Sequence, residues 1–295
     1  MPVRKAIFVV AGFGTRFLPA TRALLKTMIP LVDKPLFQIV IEEAVASGIE
    51  EIIVVTNRGE HVTADHFDRN FSLEERLERQ GKTDEAEAMR RLSDLVKLSF
   101  VHQQRPDGDG HALLCAVPFI EPNETVAVLF GDDIFDSPAP VTTQIIAAYD
   151  ERQAPVVALF DVGRENAPKF GVAGGEMVAP KLMRLNRYVE KPSLAEAPSS
   201  FAGVGRHIVT PNLLEVLKNL PPGKGGELRL ADAFGAFVER GGAAYGRVVD
   251  GTRYDCGNKL EFMKAAVTFA RRHPEINAGG EFDAFLKNLV ASQEK

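Results

Sequence analysis

Residues 6–11 form an unbroken apolar run that stops at Gly12. A strand covered on both faces reads this way, because a parallel strand carries helices above and below and has no wet side to mark with polar residues. Asp33, Lys34 and Pro35 then offer a helix start, Leu36, Ile39, Val40 and Ala44 recur at helical spacing, and Gly48 supplies a stop. Residues 51–56, rich in isoleucine and valine, complete a strand–helix–strand unit of the kind that builds parallel sheets. Further apolar runs at 100–102, 126–130 and 156–160 predict strands, with helix-like stretches at 110–116 and 141–149 between them. The alternation predicts an α/β fold, a Rossmann-like, mostly parallel mixed sheet flanked by helices.

Two stretches read differently. Between His61 and Leu98, charged clusters such as Glu74-Glu75-Arg76 and Met89-Arg90-Arg91 alternate with leucines at helical spacing, which predicts two exposed helices around a break at Gly81. After Phe160, frequent Gly and Pro predict shorter strands, followed by helices over 211–220, 227–240, 258–272 and 282–290.

Composition narrows the function classes. A chain of 295 residues with 45% hydrophobic and 25% charged residues has ordinary globular proportions, enough for one large α/β domain or two smaller ones. A formal net charge of -5 argues against a nucleic-acid partner, which selects a strongly basic face. The two cysteines, Cys115 and Cys256, form no CxxC pair, so neither a disulfide framework nor a cysteine zinc site is expected, and a reducing cytoplasm fits. The N-terminus is too short and too quickly interrupted for a signal sequence or a membrane span, so no membrane is expected.

The segment Ala11-Gly12-Phe13-Gly14-Thr15-Arg16 follows the first buried strand. Two glycines there let backbone N–H groups approach a phosphate, or else simply make a tight strand-to-helix turn. Phe17 stands where a dinucleotide fingerprint would have its third glycine, and no Walker lysine–serine pair occurs, so neither familiar nucleotide motif applies. Lys26 alone reads as a surface lysine, Glu190-Lys191 as a solvated ion pair, and Cys256 as packing. Gln103 and Gln104 end a predicted strand on opposite faces, and either amide offers a donor beside an acceptor.

The run Gly12-x-Gly14-Thr15-Arg16-Phe17-Leu18-Pro19, continued by Lys26, Pro30 and Asp33-Lys34-Pro35-Leu36, resembles the signature of the sugar-nucleotide pyrophosphorylases. Leu18-Pro19-Ala20-Thr21 and Leu31-Val32-Asp33-Lys34-Pro35 are similar to the bacterial UTP:glucose-1-phosphate uridylyltransferases in particular. Asp65-His66-Phe67-Asp68, Gly110-His111-Ala112, Gly131-Asp132-Asp133, Phe170-Gly171-Val172, Val189-Glu190-Lys191-Pro192 and Tyr254-Asp255-Cys256-Gly257-Asn258-Lys259 keep the same order, so the resemblance spans nearly the whole chain.

That resemblance implies a nucleotidyltransferase with a glycosyltransferase-A-like fold. It would be one domain over 1–295, with a nucleotide-binding half at 1–160, a smaller sugar-side β region at 161–257 and C-terminal helices at 258–295. It implies transfer of a uridylyl group from UTP to glucose 1-phosphate with release of pyrophosphate. Ala11, Gly12, Gly14, Thr15, Gln103 and Gly108 would hold the nucleotide. Gly171, Glu190 and Lys191 would hold the sugar phosphate, and Asp132 and Asp255 would hold Mg2+. Arg16, Lys26, Asp132 and Lys191 would be the catalytic set. Gln103 is preferred to Gln104 by its spacing to His111, while His111 and Asp133 read as structural.

Three positions depart from the family pattern. Thr27 follows Lys26 where an acidic residue is common, and Asp107 and Asp109 bring carboxylates to a loop near the triphosphate, where they would repel it. A pyrophosphorylase for dTTP or another sugar, and a homologue that binds without turnover, are the other readings. Related enzymes associate, so the C-terminal helices are candidates for a homo-oligomer interface, dimer or tetramer.

Overall fold

The computed structural model describes residues 2–10, 12, 14–57 and 61–292. Among them nine strands pair into one sheet: β1 (Lys5–Val9), β2 (Glu51–Thr56), β3 (Lys97–His102), β4 (Val126–Phe130), β5 (Val156–Asp161), β6 (Gly171–Ala179), β7 (Leu182–Glu190), β8 (Phe201–Val209) and β9 (Tyr245–Val248). Their order across the sheet is β3-β2-β1-β4-β8-β5-β9-β7-β6. The first four are parallel neighbours, with Ala6 opposite Ile52 on one side and Ala127 on the other. β8 enters antiparallel between β4 and β5, β9 runs parallel to β5, and β7 is antiparallel to both β9 and β6.

The unbroken apolar runs have a direct cause. Ala6 and Phe8 of β1 and Val54 of β2 point into a core shared with Phe37, Val40 and Ile41 of the helix Leu36–Ala46 and with Ile145 of the helix Val141–Arg152. Ile7, Ile53 and Val55 point the other way, into a core shared with Leu113, Leu213 and Phe234 of the helices Asp109–Ala116, Pro211–Lys218 and Leu230–Glu239. Neighbouring side chains on a strand alternate between faces, so two dry faces demand apolar residues at every position. Phe8 and Phe37 are fully buried and meet edge to face at 4.8 Å, and each such side chain contributes about 1.5–3 kcal/mol of burial.

The chain departs from the sequence reading in four places. The charged stretch forms three helices, Val62–Phe67, Phe71–Arg79 and Thr83–Ser93, with Gly81 in the left-handed region between the last two. β6, β7 and β8 are nine residues each and not short, because their glycines sit inside strands where a neighbour crosses closely, as Pro198 does at Gly174. Residues 227–229 are extended, and the helix starts only at Leu230. Two small ribbons, Pro30–Leu31 with Lys34–Pro35 and Asp133–Asp136 with Thr252–Asp255, lie outside the main sheet. Among the described residues no helix is long and apolar enough to cross a membrane.

Candidate active site

β1 and β4 are parallel neighbours, so the segments that follow them open on the same edge of the sheet, the carboxyl edge where α/β sheets place ligands. A cleft of about 430 Å3 lies there, and its lining includes Gly12, Lys26, Gln103, Gly108, Asp109 and Asp132.

Asp132 follows β4, and Asp255 ends the minor ribbon 123 residues later in the chain. The ribbon brings them together: Asp133 pairs with Asp255 in register, and the Cys256 N–H donates to Asp132 O at 2.7 Å. The Arg253 guanidinium lies 2.5 Å from Asp133 Oδ1, and the Gly205 N–H donates to Asp133 Oδ2 at 2.9 Å, so Asp133 is spent on structure. A Cβ at Gly257 would lie 2.8 Å from Asp255 Oδ1 and 2.9 Å from Asp132 Oδ2. Both carboxylates therefore face one small space, which is open because residue 257 has no side chain. Two hard oxygen donors around such a space suit a divalent cation that keeps its remaining positions for water and phosphate. Among the described residues no group of three or more His, Cys, Asp or Glu gathers into a cage that would hold an ion by itself.

Lys26 Nζ donates to Asp132 Oδ2 at 2.6 Å. Burial alone would raise the Asp132 pKa, but the charge and hydrogen bond of Lys26 overcome it and hold the carboxyl below its ordinary range. Asp133 goes the other way: burial, with the charges of Asp132 and Asp255 added, outweighs Arg253 and raises it. Burial likewise pushes the Cys256 thiol well up, which keeps it protonated and leaves it a packing residue.

At the other end of the cleft, Gln103 is buried while Gln104 is exposed. Gln103 Nε2 donates to Gly108 O at 2.9 Å and lies 3.1 Å from His111 Nδ1, so His111 orients the amide. Gly108 has φ 105 and abuts Leu228 O, a conformation and a clearance that only glycine combines. The Leu228 N–H donates to Asp107 O at 2.7 Å, the Gly110 N–H to Leu228 O at 2.9 Å, and the Leu230 N–H to Asp109 Oδ1 at 2.7 Å. This ladder explains why 227–229 is not helical, and it gives Asp109 a partner. Burial, with the charge of Glu190 added, raises the Asp109 pKa to about 6 against the pull of the Leu230 N–H. Asp107 is paired with Arg105 at 3.1 Å.

A second cavity of about 460 Å3 includes Glu190, Lys191, Gly223, Arg229 and Asp232 in its lining. Gly171 sits opposite Glu190 across β6 and β7, where a Cβ would come within 3.0 Å of Glu190 Oε2. Lys191 has φ 45, its N–H donates to Phe170 O at 2.9 Å, and its ammonium lies 3.4 Å from Glu190 Oε1.

The structure thus gathers Gly12, Lys26, Gln103, Gly108 and Asp132 on one cleft, Asp255 beside Asp132, and Gly171, Glu190 and Lys191 together where β6 and β7 pair. Gly14 begins the short turn Thr15–Phe17, its carbonyl held by Thr21 Oγ1 at 2.8 Å. Thr15 and Arg16 are exposed and stand outside the cleft lining, and Ala11 lies outside the described residues. Sequence reasoning missed Gly257, Arg253 and the 227–230 segment. Gly257 lay in the quoted Tyr254–Lys259 run, and its lack of a Cβ next to Asp255 was the available signal.

The family model described as nucleotidyl transferase matches residues 5–272. A UTP–glucose-1-phosphate uridylyltransferase of Bacillus subtilis (strain 168) is 40% identical over 293 residues, covering 99% of this chain and 97% of its own length. One of Streptococcus pyogenes is 40% identical over 293 residues, covering 98% and 93%. Among solved structures, a UTP-bound UGPase from Acinetobacter baumannii is similar with a TM-score of 0.88 at 31% identity, over 97% of this chain and 99% of that one. A UDP-glucose pyrophosphorylase complexed with UDP-glucose gives a TM-score of 0.83 at 33% identity, over 92% and 100%.

Proposed function

The chain belongs to the nucleotidyl transferase family, and we propose that it joins UTP to α-D-glucose 1-phosphate to give UDP-glucose and pyrophosphate. The observation that carries this reading at the site is the meeting of Asp132 and Asp255 around the space beside Gly257, with Lys26 next to it.

Gln103 and Gly108 receive the uracil. The Gln103 amide nitrogen is already engaged by Gly108 O and His111 Nδ1, so the amide oxygen is the group that faces a uracil N3–H. Gly12, in the cleft lining, and Gly14 after it leave room for the UTP phosphates to approach the backbone. Asp132 and Asp255 would hold Mg2+, which supplies Lewis-acid charge at the α-phosphate. Lys26 neutralises charge developing on the same phosphate. Glu190 accepts hydrogen bonds from hexose hydroxyls, Gly171 leaves room for the ring, and Lys191 pairs with the sugar phosphate. The attacking sugar-phosphate oxygen is anionic at neutral pH and needs no general base, so catalysis is positioning and charge neutralisation, with in-line displacement of pyrophosphate and no covalent enzyme intermediate. His111, bound to the Gln103 amide, is an orienting residue.

The test is pyrophosphate release from UTP plus glucose 1-phosphate, with and without Mg2+, alongside dTTP and other hexose 1-phosphates. Mg2+-dependent release with UTP and glucose 1-phosphate as the fastest pair is the expected result. Faster turnover with dTTP or another sugar would overturn the assignment of substrates, and no release from any pair would overturn the enzyme reading.

A further inference from the structure

Among the described residues the largest fully buried side chain is an arginine, Arg206 of β8. It is not part of the cleft lining, yet two of its five N–H groups are aimed at the turn that carries Asp132. Nη1 donates to Phe130 O at 3.1 Å and to Gly205 O at 2.9 Å, and Nη2 donates to Asp133 O at 3.1 Å. Phe130 and Asp133 flank Gly131-Asp132, so one planar guanidinium holds the backbone on both sides of the carboxylate. Its remaining donors meet Glu43, Nε to Oε1 at 3.0 Å and Nη2 to Oε2 at 2.7 Å. Glu43 is fixed in turn: Thr142 donates to its Oε1 from Oγ1 at 2.7 Å and from N at 3.0 Å. Burial would raise the Glu43 pKa, but Arg206 and Thr142 more than offset it and lower it, so its carboxylate stays ionised.

A buried ion pair is a poor means of stabilising a fold, since apolar residues of similar volume do as well or better. What a rigid five-donor fork gives instead is fixed geometry. We propose that Arg206 and Glu43 are positioning residues that hold the Asp132 carboxylate at the spacing from Asp255 that a divalent cation requires. This rests on the uridylyltransferase reading.

The experiment compares Glu43→Gln, Arg206→Lys and Thr142→Val with wild type in three measurements: Mn2+ binding to the UTP complex from the paramagnetic signal of free ion, kcat and KM for each substrate, and thermal unfolding. Glu43→Gln keeps the shape but turns the acceptor for Nη2 into a donor. Loss of an outer-shell partner costs about 10–100-fold in metal affinity. Glu43→Gln is therefore expected to weaken Mn2+ binding at least about 10-fold and to lower kcat in step, with KM for glucose 1-phosphate within about 2-fold. Thr142→Val should shift both in the same direction by less, and it decides the matter if the other two do not fold. Unchanged Mn2+ binding, with activity lost only in proportion to unfolded protein, would overturn the proposal. Wild type without uridylyltransfer would instead overturn the reading beneath it.

Discussion

Gly257→Ala is the most direct perturbation of the paired carboxylates. The new methyl would lie 2.8 Å from Asp255 Oδ1 and 2.9 Å from Asp132 Oδ2, where an ordinary carbon–oxygen contact is about 3.3 Å or more. The two carboxylates must retreat by roughly 0.4–0.5 Å, about the tolerance of a working site, and the methyl occupies the space between them. Mg2+ accepts ligands only at about 2.0–2.1 Å in near-octahedral geometry, so it cannot follow the retreat. A loss of about 10–100-fold in metal affinity follows, or roughly 1.4–2.7 kcal/mol. The backbone is not the obstacle, because Gly257 is not among the glycines with positive φ. Pyrophosphate release measured against Mg2+ concentration should show the half-saturating point rising about 10-fold or more, with thermal unfolding little changed. A half-saturating point within about 2-fold of wild type at full kcat would refute the shared-ion geometry.

Three further outcomes follow. Lys26→Ala should cut turnover about 100-fold or more while tightening metal binding in the absence of nucleotide, because Asp132 loses its competing ammonium; calorimetric titration with Mn2+ that shows weaker binding would contradict this. Lys191→Ala should raise KM for glucose 1-phosphate about 10-fold or more and leave UTP affinity within about 2-fold, so equal losses for both substrates would remove Lys191 from the sugar side. His207 is buried, and burial, with the charge of Arg206 added, lowers its pKa to about 3 against a bond with the Val128 backbone. The unfolded chain takes up a proton below about pH 6.5 while the folded one does not, so stability is full above that value and falls as pH drops, by at most about 2 kcal/mol between pH 6.5 and 5. In urea unfolding at those two pH values, His207→Phe should lose that part of the slope, and an unaltered slope would assign it elsewhere.

The parallel half of the sheet was legible because β1, β2 and β4 need apolar residues at every position. β3 was seen only from Phe100 onward, since this edge strand begins with Lys97 and keeps Ser99, which break the apolar run. The antiparallel half hid behind glycines that serve close crossings rather than turns. The helix start near Glu227 was misplaced because apolar spacing does not reveal that Leu228 spends its N–H and carbonyl on Asp107 and Gly110. The meeting of Asp132 and Asp255 was reached only through family resemblance, for the ribbon that joins them leaves no local pattern. Asp107 and Asp109 looked like a threat to a triphosphate, and their partners, Arg105 and the Leu230 N–H, became visible only in three dimensions.

The strands beside the Asp132 cleft and the strands that carry Gly171 and Glu190 belong to a single hydrogen-bonded ladder running from β3 to β6. The distance separating the two cavities is thus cast when the polypeptide folds, like holes drilled in one plank.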